Sequence, residues 1–159
     1  MYHSMRRSRQ QLSEQETIKI LENATSGVLA LFDADDYTYA LPISYVYHGN
    51  EIYFHSASSG HKIEAIKYHQ KVSFCVVAQD KIVPEKFTTF FKSAIVFGTI
   101  EIIEDEAEKR KAIECLSKKY SPHETEERTQ QEIDRFWKQL TMLKLNIEKI
   151  SGKQSIELV

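Results

Sequence analysis

The sequence predicts an α+β fold in which a mostly antiparallel sheet closes into a barrel with helices at its periphery. Segments rich in β-branched and aromatic residues fill the centre of the chain, and helix patterns flank them. The regular alternation of strand and helix that a parallel sheet requires is absent. The chain also lacks an internal repeat and a low-complexity linker. We therefore expect a single domain over residues 1–159, with an N-terminal arm at 1–12 and a late helix and final strand within 121–159.

The composition is that of a globular protein and argues against several classes of function. The 159 residues, of which 42% are hydrophobic, are enough for a sizeable core. A net charge of -2 gives no electrostatic case for nucleic-acid binding. No apolar run approaches the roughly 18 residues that span a bilayer, so we expect no membrane partner. The two cysteines, Cys75 and Cys115, are too few for a disulfide framework and predict reduced thiols in the cytoplasm.

Two alternatives remain open for the polar and basic arm. It is either a solvated tail or a strap that brings Arg6 or Arg7 to a neighbouring anion. Ser13 and Glu16 follow the arm with the spacing of a capping box, which predicts a helix that ends near residues 23–26.

Two strands are predicted after this helix. Residues 27–32 form a short apolar run, and residues 37–47 form a longer, strongly aromatic one. Pro42 cannot donate a ladder hydrogen bond, so the second strand must lie at an edge or carry a bulge. Such a break would leave neighbouring backbone groups free for a ligand. Residues 48–50 have the composition of a hairpin turn.

The segment after this turn carries the strongest functional signal. It predicts a strand at 51–54, a polar loop at 56–60 and a helix from His61. Serine hydroxyls, the flexible backbone of Gly60, the unpaired N–H groups of a helix start and the cation of Lys62 together suit a phosphate monoester. The alternative is a capped helix with a basic first turn.

The second half of the chain alternates between strand and helix patterns. The expected elements are strands at 71–78, 87–103 and 143–150, a loop at 79–86, and helices from 105 to 120 and from 129 to 140. Asp105 and Thr129 are the expected caps of the two helices, because each has a glutamate three positions later. Gly98 predicts a bulge or bend in the long strand. Residues 151–153 are expected to end the final strand.

Motifs for other chemistries are missing from the sequence. The histidines lack the spacing of zinc ligands, so no metal site is expected. The glycines are too dispersed for a dinucleotide fingerprint. Ser44, Ser56 and His61 could in principle meet as nucleophile and base, but nothing in their spacing supports a hydrolase.

Seven short segments carry a resemblance to a known family. They are MRR at 5–7, GVLAL at 27–31, YALPISYVY at 39–47, IYFHSA at 52–57, GHK at 60–62, VSFCV at 72–76 and FTTFFKSAIVFG at 87–98. In this order they resemble the pyridoxamine phosphate oxidase-like flavoproteins, and specifically the nitroimidazole-resistance branch. The resemblance covers roughly residues 5–120. The substrate-phosphate arginines of true pyridoxamine phosphate oxidases have no match here, which argues against a role in vitamin B6 synthesis.

This resemblance implies a split β-barrel that forms a homodimer and binds FMN at the dimer interface. The residues that it implies for the FMN phosphate are Ser56, Ala57, Gly60, His61 and Lys62. Those that it implies for the flat ring are Pro42, Ile43, Ser44 and Tyr45, with His55 between the two regions. Thr89, Ser93 and Trp137 are candidates to complete the site across the interface, although a tryptophan is more often a core or interface anchor than a residue that stacks on a flavin.

The resemblance also implies an activity. NAD(P)H would reduce FMN, and the flavin would pass electrons to a nitroaromatic or another small acceptor. His61 is the titratable candidate for catalysis, with phosphate binding as its alternative role, and Tyr45 is either a proton donor or a packing residue. A non-catalytic flavin- or haem-binding protein is the alternative function, with His55 or His61 as a haem ligand by residue type only. A third possibility is an interaction protein with an empty groove.

Overall fold

The computed structural model describes residues 2–159, and within this range it contains seven strands and four α-helices. The strands are β1 (Ser26–Phe32), β2 (Thr38–Ser44), β3 (Val46–His48), β4 (Glu51–Ser56), β5 (Lys71–Val83), β6 (Thr88–Ile102) and β7 (Thr141–Gln154). The helices are α1 (Glu14–Asn23), α2 (His61–Tyr68), α3 (Glu106–Tyr120) and α4 (Glu126–Phe136). Short 3-10 turns occupy Ser8–Gln10, Pro84–Lys86 and Ile156–Leu158.

All seven strands pair antiparallel in one sheet, in the order β2-β1-β5-β6-β7-β4-β3. The two outermost strands, β2 and β3, are consecutive in the chain and are separated only by Tyr45. One residue cannot cross a flat sheet of this width, because neighbouring strands lie about 4.8 Å apart. The sheet therefore curls until its two edges meet at Tyr45. This is a split β-barrel with peripheral helices, as the sequence and its resemblance predicted.

The apolar core has two parts, which lie on opposite sides of β4. The main cluster fills the barrel and includes Phe54, Phe74 and Leu145. A smaller cluster lies beneath α3 and includes Tyr53 and Met142. Successive residues of a strand point to opposite faces, so Phe54 enters the barrel while Tyr53 packs under the helix.

Several local predictions are confirmed. The Ser13 hydroxyl accepts a hydrogen bond from the Glu16 N–H at 3.2 Å, and the Glu16 carboxylate accepts one from the Ser13 N–H at 2.9 Å, which completes the capping box. Pro42 lies on the edge strand β2. The ladder between β6 and β7 shifts register at Gly98, where a Cβ atom would overlap the carbonyl oxygen of Asn146.

The single strand predicted at 37–47 is wrong, because the chain breaks at Tyr45 and continues at the opposite edge of the sheet. The aromatic and β-branched composition is uninterrupted at this point, so propensity gives no sign of the break. Its cause is tertiary, since the Tyr45 side chain is buried in the barrel core.

Two other strands are longer than predicted. β5 continues through the expected loop at 79–86 as far as Val83, where it pairs with β6 beyond the main core. Strands that pair outside the core do not need alternating apolar residues. The polar residues at the end of β5 therefore have the composition of a loop. β7 runs over Thr141–Gln154 rather than 143–150, so Gly152 lies within the strand instead of ending it. A glycine is needed at this position because the side chains of Thr17 and Leu12 leave no room for a Cβ atom.

Helix α4 begins earlier than predicted. Its N-cap is Thr125, whose hydroxyl accepts a hydrogen bond from the Arg128 N–H at 3.2 Å, and not Thr129. Both threonines precede polar, helix-compatible sequence. Glu126 and Glu127 complement the positive end of the helix dipole at the earlier start.

The last residues of the N-terminal arm pack against the barrel, whereas Arg6, Arg7 and Arg9 are exposed. The Leu12 N–H donates to the Gly152 carbonyl at 2.9 Å, and the side chains of Gln10 and Leu12 are buried. Further back, the Tyr2 ring lies 5.5 Å from that of Phe97 on the outer face of β6. Among residues 2–159, no helix is both long and apolar enough to cross a membrane.

Candidate cofactor site

A cavity of about 610 Å³ opens beside the end of β4, between that strand and helices α3 and α4. His55, Ser56 and Ala57 line it from the strand and the loop that follows. The lining from α3 and α4 includes Ile113, Ser117, Arg128, Thr129, Ile133 and Phe136. Part of the predicted cofactor loop therefore borders the cavity, together with helix residues that the sequence did not single out.

The pairing of β4 explains why His55 faces this cavity. His55 pairs with Met142 and Ser56 with Thr141 on β7, which fixes the end of the strand. His55 projects from the same face as Tyr53, which lies under α3. His55 lies two residues beyond Tyr53 on this face, and there the face borders the cavity instead of packing against α3.

Lys62 extends the site toward the first turn of α2. Neighbouring atoms desolvate the His55 ring and lower its pKa, and the nearby charge of Lys62 lowers it further. Partial burial likewise lowers the pKa of the Lys62 ammonium group. The two side chains are thus close enough to interact, and His55 is neutral at neutral pH. The site combines a neutral imidazole with a nearby cation.

The helical walls of the cavity carry both apolar and charged side chains. Ile133 is buried, whereas Phe136 is half exposed. At the rim, an Arg128 guanidinium nitrogen lies 3.3 Å from a carboxylate oxygen of Glu124. Nine of the fourteen residues that line the cavity are polar or charged, and Ile113, Ile133, Phe136 and Leu140 add apolar surface. A cavity of this volume with both kinds of group can hold a small organic ligand. The sequence signal for this wall is the helical spacing of Ile133, Phe136 and Leu140, which fits simple packing equally well.

His61 is not part of the cavity. Its ring stacks on Tyr39 with centroids 4.0 Å apart, and its Nε2 contacts the Asp33 carboxylate in the turn between β1 and β2. The hydrogen bond from His61 holds the pKa of Asp33 below its usual range. The structure thus brings Lys62 toward His55, while the side chain of His61 fastens α2 to a different part of the barrel.

The backbone of Tyr45 is not free for a ligand, contrary to expectation. Its N–H donates to the Tyr120 hydroxyl at 3.0 Å, and its carbonyl accepts from Lys119 Nζ at 3.0 Å. The Tyr45 phenol donates to the Leu21 carbonyl at 2.6 Å inside the core, where burial raises its pKa. Of its two predicted roles, the structure supports packing.

The other residues predicted for the ring lie along β2. Pro42 is exposed on the outer face, whereas Ile43 and Ser44 are half-buried. Since β2 is an edge strand, one side of its backbone lacks a sheet partner, as Pro42 predicted.

Thr89 and Ser93 are remote from the cavity within one chain. Ser93 lies nine positions along β6 from Ile102, whose partner Leu143 is next to Met142, the partner of His55. At about 3.3 Å per residue this is roughly 30 Å along the strand. Thr89 is further still. These residues can meet the cavity only if a second copy of the chain supplies them.

Trp137 does not line the cavity. Its ring is covered by Lys109 Nζ at 4.1 Å and by the Arg110 guanidinium at 4.6 Å, and its carbonyl accepts from Lys109 Nζ at 3.0 Å. These contacts fasten the end of α4 to α3, which is the packing role that we considered as the alternative.

The outer face of the barrel carries an apolar row across five strands. In ladder register, the row consists of Pro42, Val28, Cys75, Ile95 and Ser151. Val28 and Ile95 are 42% and 38% exposed, and nearby Val77 is 60% exposed. Exposed apolar side chains that lie side by side in this way commonly mark a protein interface.

Comparisons with known proteins agree with this fold. Residues 13–154 match the family model described as pyridoxamine 5'-phosphate oxidase. A comparison with curated protein sequences gave no match.

Solved structures with the same fold come from several bacteria. A candidate 5-nitroimidazole antibiotic resistance protein from Bacteroides thetaiotaomicron is 22% identical, with 91% of this chain and 86% of that chain covered and a TM-score of 0.79. An FAD-binding protein from Mesorhizobium loti is 25% identical, with 91% and 96% covered and a TM-score of 0.68. An FAD and haem binding protein from Mycobacterium smegmatis is 21% identical, with 93% and 74% covered and a TM-score of 0.72. The family match spans most of the chain, and this protein therefore belongs to the pyridoxamine 5'-phosphate oxidase family.

Proposed function

We propose that this protein is an FMN-dependent oxidoreductase that passes electrons from NAD(P)H to a nitroaromatic or another small acceptor. The observation that carries the proposal is the cavity at the end of β4, which is bordered by Ser56 and Ala57 of the loop for which the family resemblance implies FMN. Family membership and the flavin-binding structural relatives support the same assignment. Flavin, when bound, supplies the hydride and electron transfer, so the protein has to supply only binding, orientation and electrostatics.

The phosphate end of the cofactor fits the loop before α2. Gly60 has a φ of 121°, and apart from the adjoining residues no atom of residues 2–159 lies within 4 Å of the position that a Cβ atom would take, so an anion can approach the backbone there. Lys62, in the first turn of α2, supplies a positive charge. The Ser56 hydroxyl already donates to the Ala57 carbonyl at 2.8 Å, so it would act toward a phosphate through a change of rotamer.

The ring end of the cofactor fits the cavity itself. Phe136 and Ile133 offer apolar surface to a flat ring, and the neutral His55 can donate or accept one hydrogen bond at its edge. We assign to His55, rather than to His61, the role of the titratable group beside the reacting atoms. His61 keeps a positioning role, because it anchors the start of α2 to Asp33 and Tyr39.

We further propose that the active unit is a homodimer formed through the apolar row on the outer face of the barrel. Its partner would supply Thr89 and Ser93 to the cofactor site, which a single chain cannot do over such a distance. Cys75 and Cys115 are both unpaired, which fits a reducing compartment such as the cytoplasm.

The test is anaerobic mixing of the FMN-loaded protein with NADH or NADPH, followed by addition of a 5-nitroimidazole. We expect the flavin absorption to bleach with one of the two donors and to return when the acceptor is added. Tight FMN binding without bleaching by either donor would contradict the oxidoreductase assignment and leave a non-catalytic flavoprotein.

Haem binding is the second candidate, and it is favoured by one observation. His55 is neutral and borders a cavity, as an axial ligand must. A Soret band in the purified protein, lost in His55→Ala, would support haem and would displace the flavin proposal.

A further inference from the structure

The N-terminal arm forms a second cavity, far from the one at the end of β4. Its volume is about 390 Å³, and it is lined by Arg6, Arg7, Ser8, Arg9, Gln10 and Ile156. The arm bridges to β7 at Lys153, which is twelve positions along that strand from Thr141. At about 3.3 Å per residue, the two cavities of one chain are roughly 40 Å apart.

The arginines of this cavity differ from the other arginines of the protein. Arg110, Arg128 and Arg135 each lie 2.7 to 3.7 Å from a carboxylate oxygen. Within residues 2–159, Arg6, Arg7 and Arg9 have no carboxylate within 4.0 Å. Three arginines without acidic partners therefore line one cavity, and their like charges favour an anion there.

A buried amide lies beside these arginines. Gln10 is only 4% exposed, and its Oε1 atom has no hydrogen-bond partner among the described residues. The Ser155 hydroxyl, next to Ile156 in the chain, is also buried without a partner. An unpaired buried polar atom destabilises the fold, so such atoms usually have a partner. Gln10 lacks one in a cavity that is large enough for a small molecule.

We propose that this arm cavity binds the phosphate group of a small phosphorylated molecule that also carries a hydroxyl or N–H donor. The arginines bind the phosphate oxygens, and the donor satisfies Gln10 Oε1. A nucleotide has both groups, in its phosphate and its ribose. The phosphate has two possible sources, which are a free nucleotide and the FMN phosphate of a second copy of the chain.

Isothermal titration calorimetry with pyrophosphate, ADP and adenosine tests the site directly. For a free nucleotide we expect ADP and pyrophosphate to bind and adenosine not to bind. The double variant Arg6→Ala, Arg7→Ala should weaken ADP binding by about tenfold or more, because it removes charge-assisted hydrogen bonds. Arg135→Ala, which removes the same charge from an exposed helix, should leave the affinity unchanged.

Titrations with FMN and riboflavin identify the second source. If the double variant weakens FMN binding but not riboflavin binding, and pyrophosphate does not bind, the site takes the phosphate of the cofactor. If neither pyrophosphate nor ADP binds, and the double variant binds FMN like the wild type, the proposal is wrong. A thermal unfolding curve of each variant establishes that it is folded. Gln10→Leu should lose ADP affinity while its melting temperature stays the same or rises, since it removes an unpaired buried amide.

Discussion

Lys62 and His61 are adjacent in the first turn of α2, but their side chains leave the helix about 100° apart. One direction leads toward His55 and the cavity, and the other leads to Asp33 and Tyr39. The helix thus separates two roles that its sequence placed together. Lys62 can attract an anion, while His61 holds the helix in position.

Lys62→Ala should weaken FMN binding by about tenfold or more, because a charge-assisted contact to the phosphate is lost. Riboflavin, which has no phosphate, should bind the variant and the wild type equally. Fluorescence titration measures both affinities. Lys67→Ala, an exposed lysine on the same helix, is the matched control. An FMN affinity that Lys62→Ala leaves unchanged would remove Lys62 from the phosphate site.

The His55 ring should titrate below its ordinary pKa of 6.5, because burial and then the charge of Lys62 disfavour its protonated form. Lys62→Met should raise the His55 pKa toward that value. NMR titration of the ring protons, assigned with His55→Gln, measures both shifts. A wild-type midpoint at or above 6.5 would contradict the desolvation of the ring, and an unchanged midpoint in Lys62→Met would contradict the proximity of His55 and Lys62.

The same shift gives His55 a defined effect on stability. The folded-state pKa lies below the unfolded one, so the unfolded chain binds the proton more readily. The contribution of His55 is therefore fully present above pH 6.5 and decreases as the pH falls through the window below that value. His55→Gln should lose less stability than the wild type between neutral pH and the lower end of this window, as measured by urea unfolding.

At the scale of elements, α3 holds together the place where the barrel closes. Lys119 and Tyr120, at the C-terminal end of the helix, occupy the backbone groups that the break at Tyr45 exposes. Tyr120 also bonds the carbonyl of Thr25, just before β1. One helix end therefore links the β2–β3 break to the start of β1.

Tyr120→Phe should destabilise the fold by about 1 to 3 kcal/mol, because it leaves the Tyr45 N–H without a partner. Urea unfolding measures the change. Tyr37→Phe removes a phenol hydroxyl from an exposed turn and should cost almost nothing. Equal stabilities for the two variants would mean that water replaces the Tyr120 hydroxyl and that α3 does not hold the break.

Short sequence patterns correctly predicted those features that depend only on residues close together in the chain. The capping box at Ser13, the bulge at Gly98 and the helix start after Gly60 each depend on a few neighbouring residues, and all three were found as predicted. The break at Tyr45 depends on a distant helix, and the extension of β5 depends on pairing outside the core. The strand propensity of the local sequence depends on neither of these distant contacts, so it could not predict the two features.

The candidate site divides in the same way. The loop at Ser56, Ala57 and Lys62 was found through its composition, because hydroxyls, a glycine and a lysine at a helix start have a physical meaning in sequence. The α4 wall of the cavity was missed, since the apolar spacing of Ile133 and Phe136 fits simple packing equally well. The side-chain direction of His61 also depended on a partner, Asp33, that is 28 positions away.

At the scale of the whole molecule, the split barrel separates the predicted site residues of one chain. His55 lies at one end of the sheet, and Thr89 and Ser93 lie at the other. The homodimer that we propose would resolve this separation, because an antiparallel arrangement of two barrels can bring one end of β6 to the other copy's β4. The apolar row of Val28, Cys75 and Ile95 supplies the surface for such a contact.

Ile95→Glu should therefore shift the protein from dimer to monomer and release FMN, since it places a charge in the centre of the row. Light scattering coupled to gel filtration measures the mass, and absorption at the flavin bands measures the bound cofactor. Tyr37→Glu, an exposed aromatic away from the row, should change neither quantity. A monomeric variant that keeps FMN with wild-type affinity would contradict a shared site.

The most direct test of the account is the flavin content of the purified protein after incubation with excess FMN and gel filtration. We expect FMN to co-elute with the protein at about one molecule per chain, and to be lost when Lys62→Ala and His55→Ala are combined in a folded variant. A colourless protein, from which all added FMN separates on the column, would contradict the assignment of the β4 cavity as a flavin site.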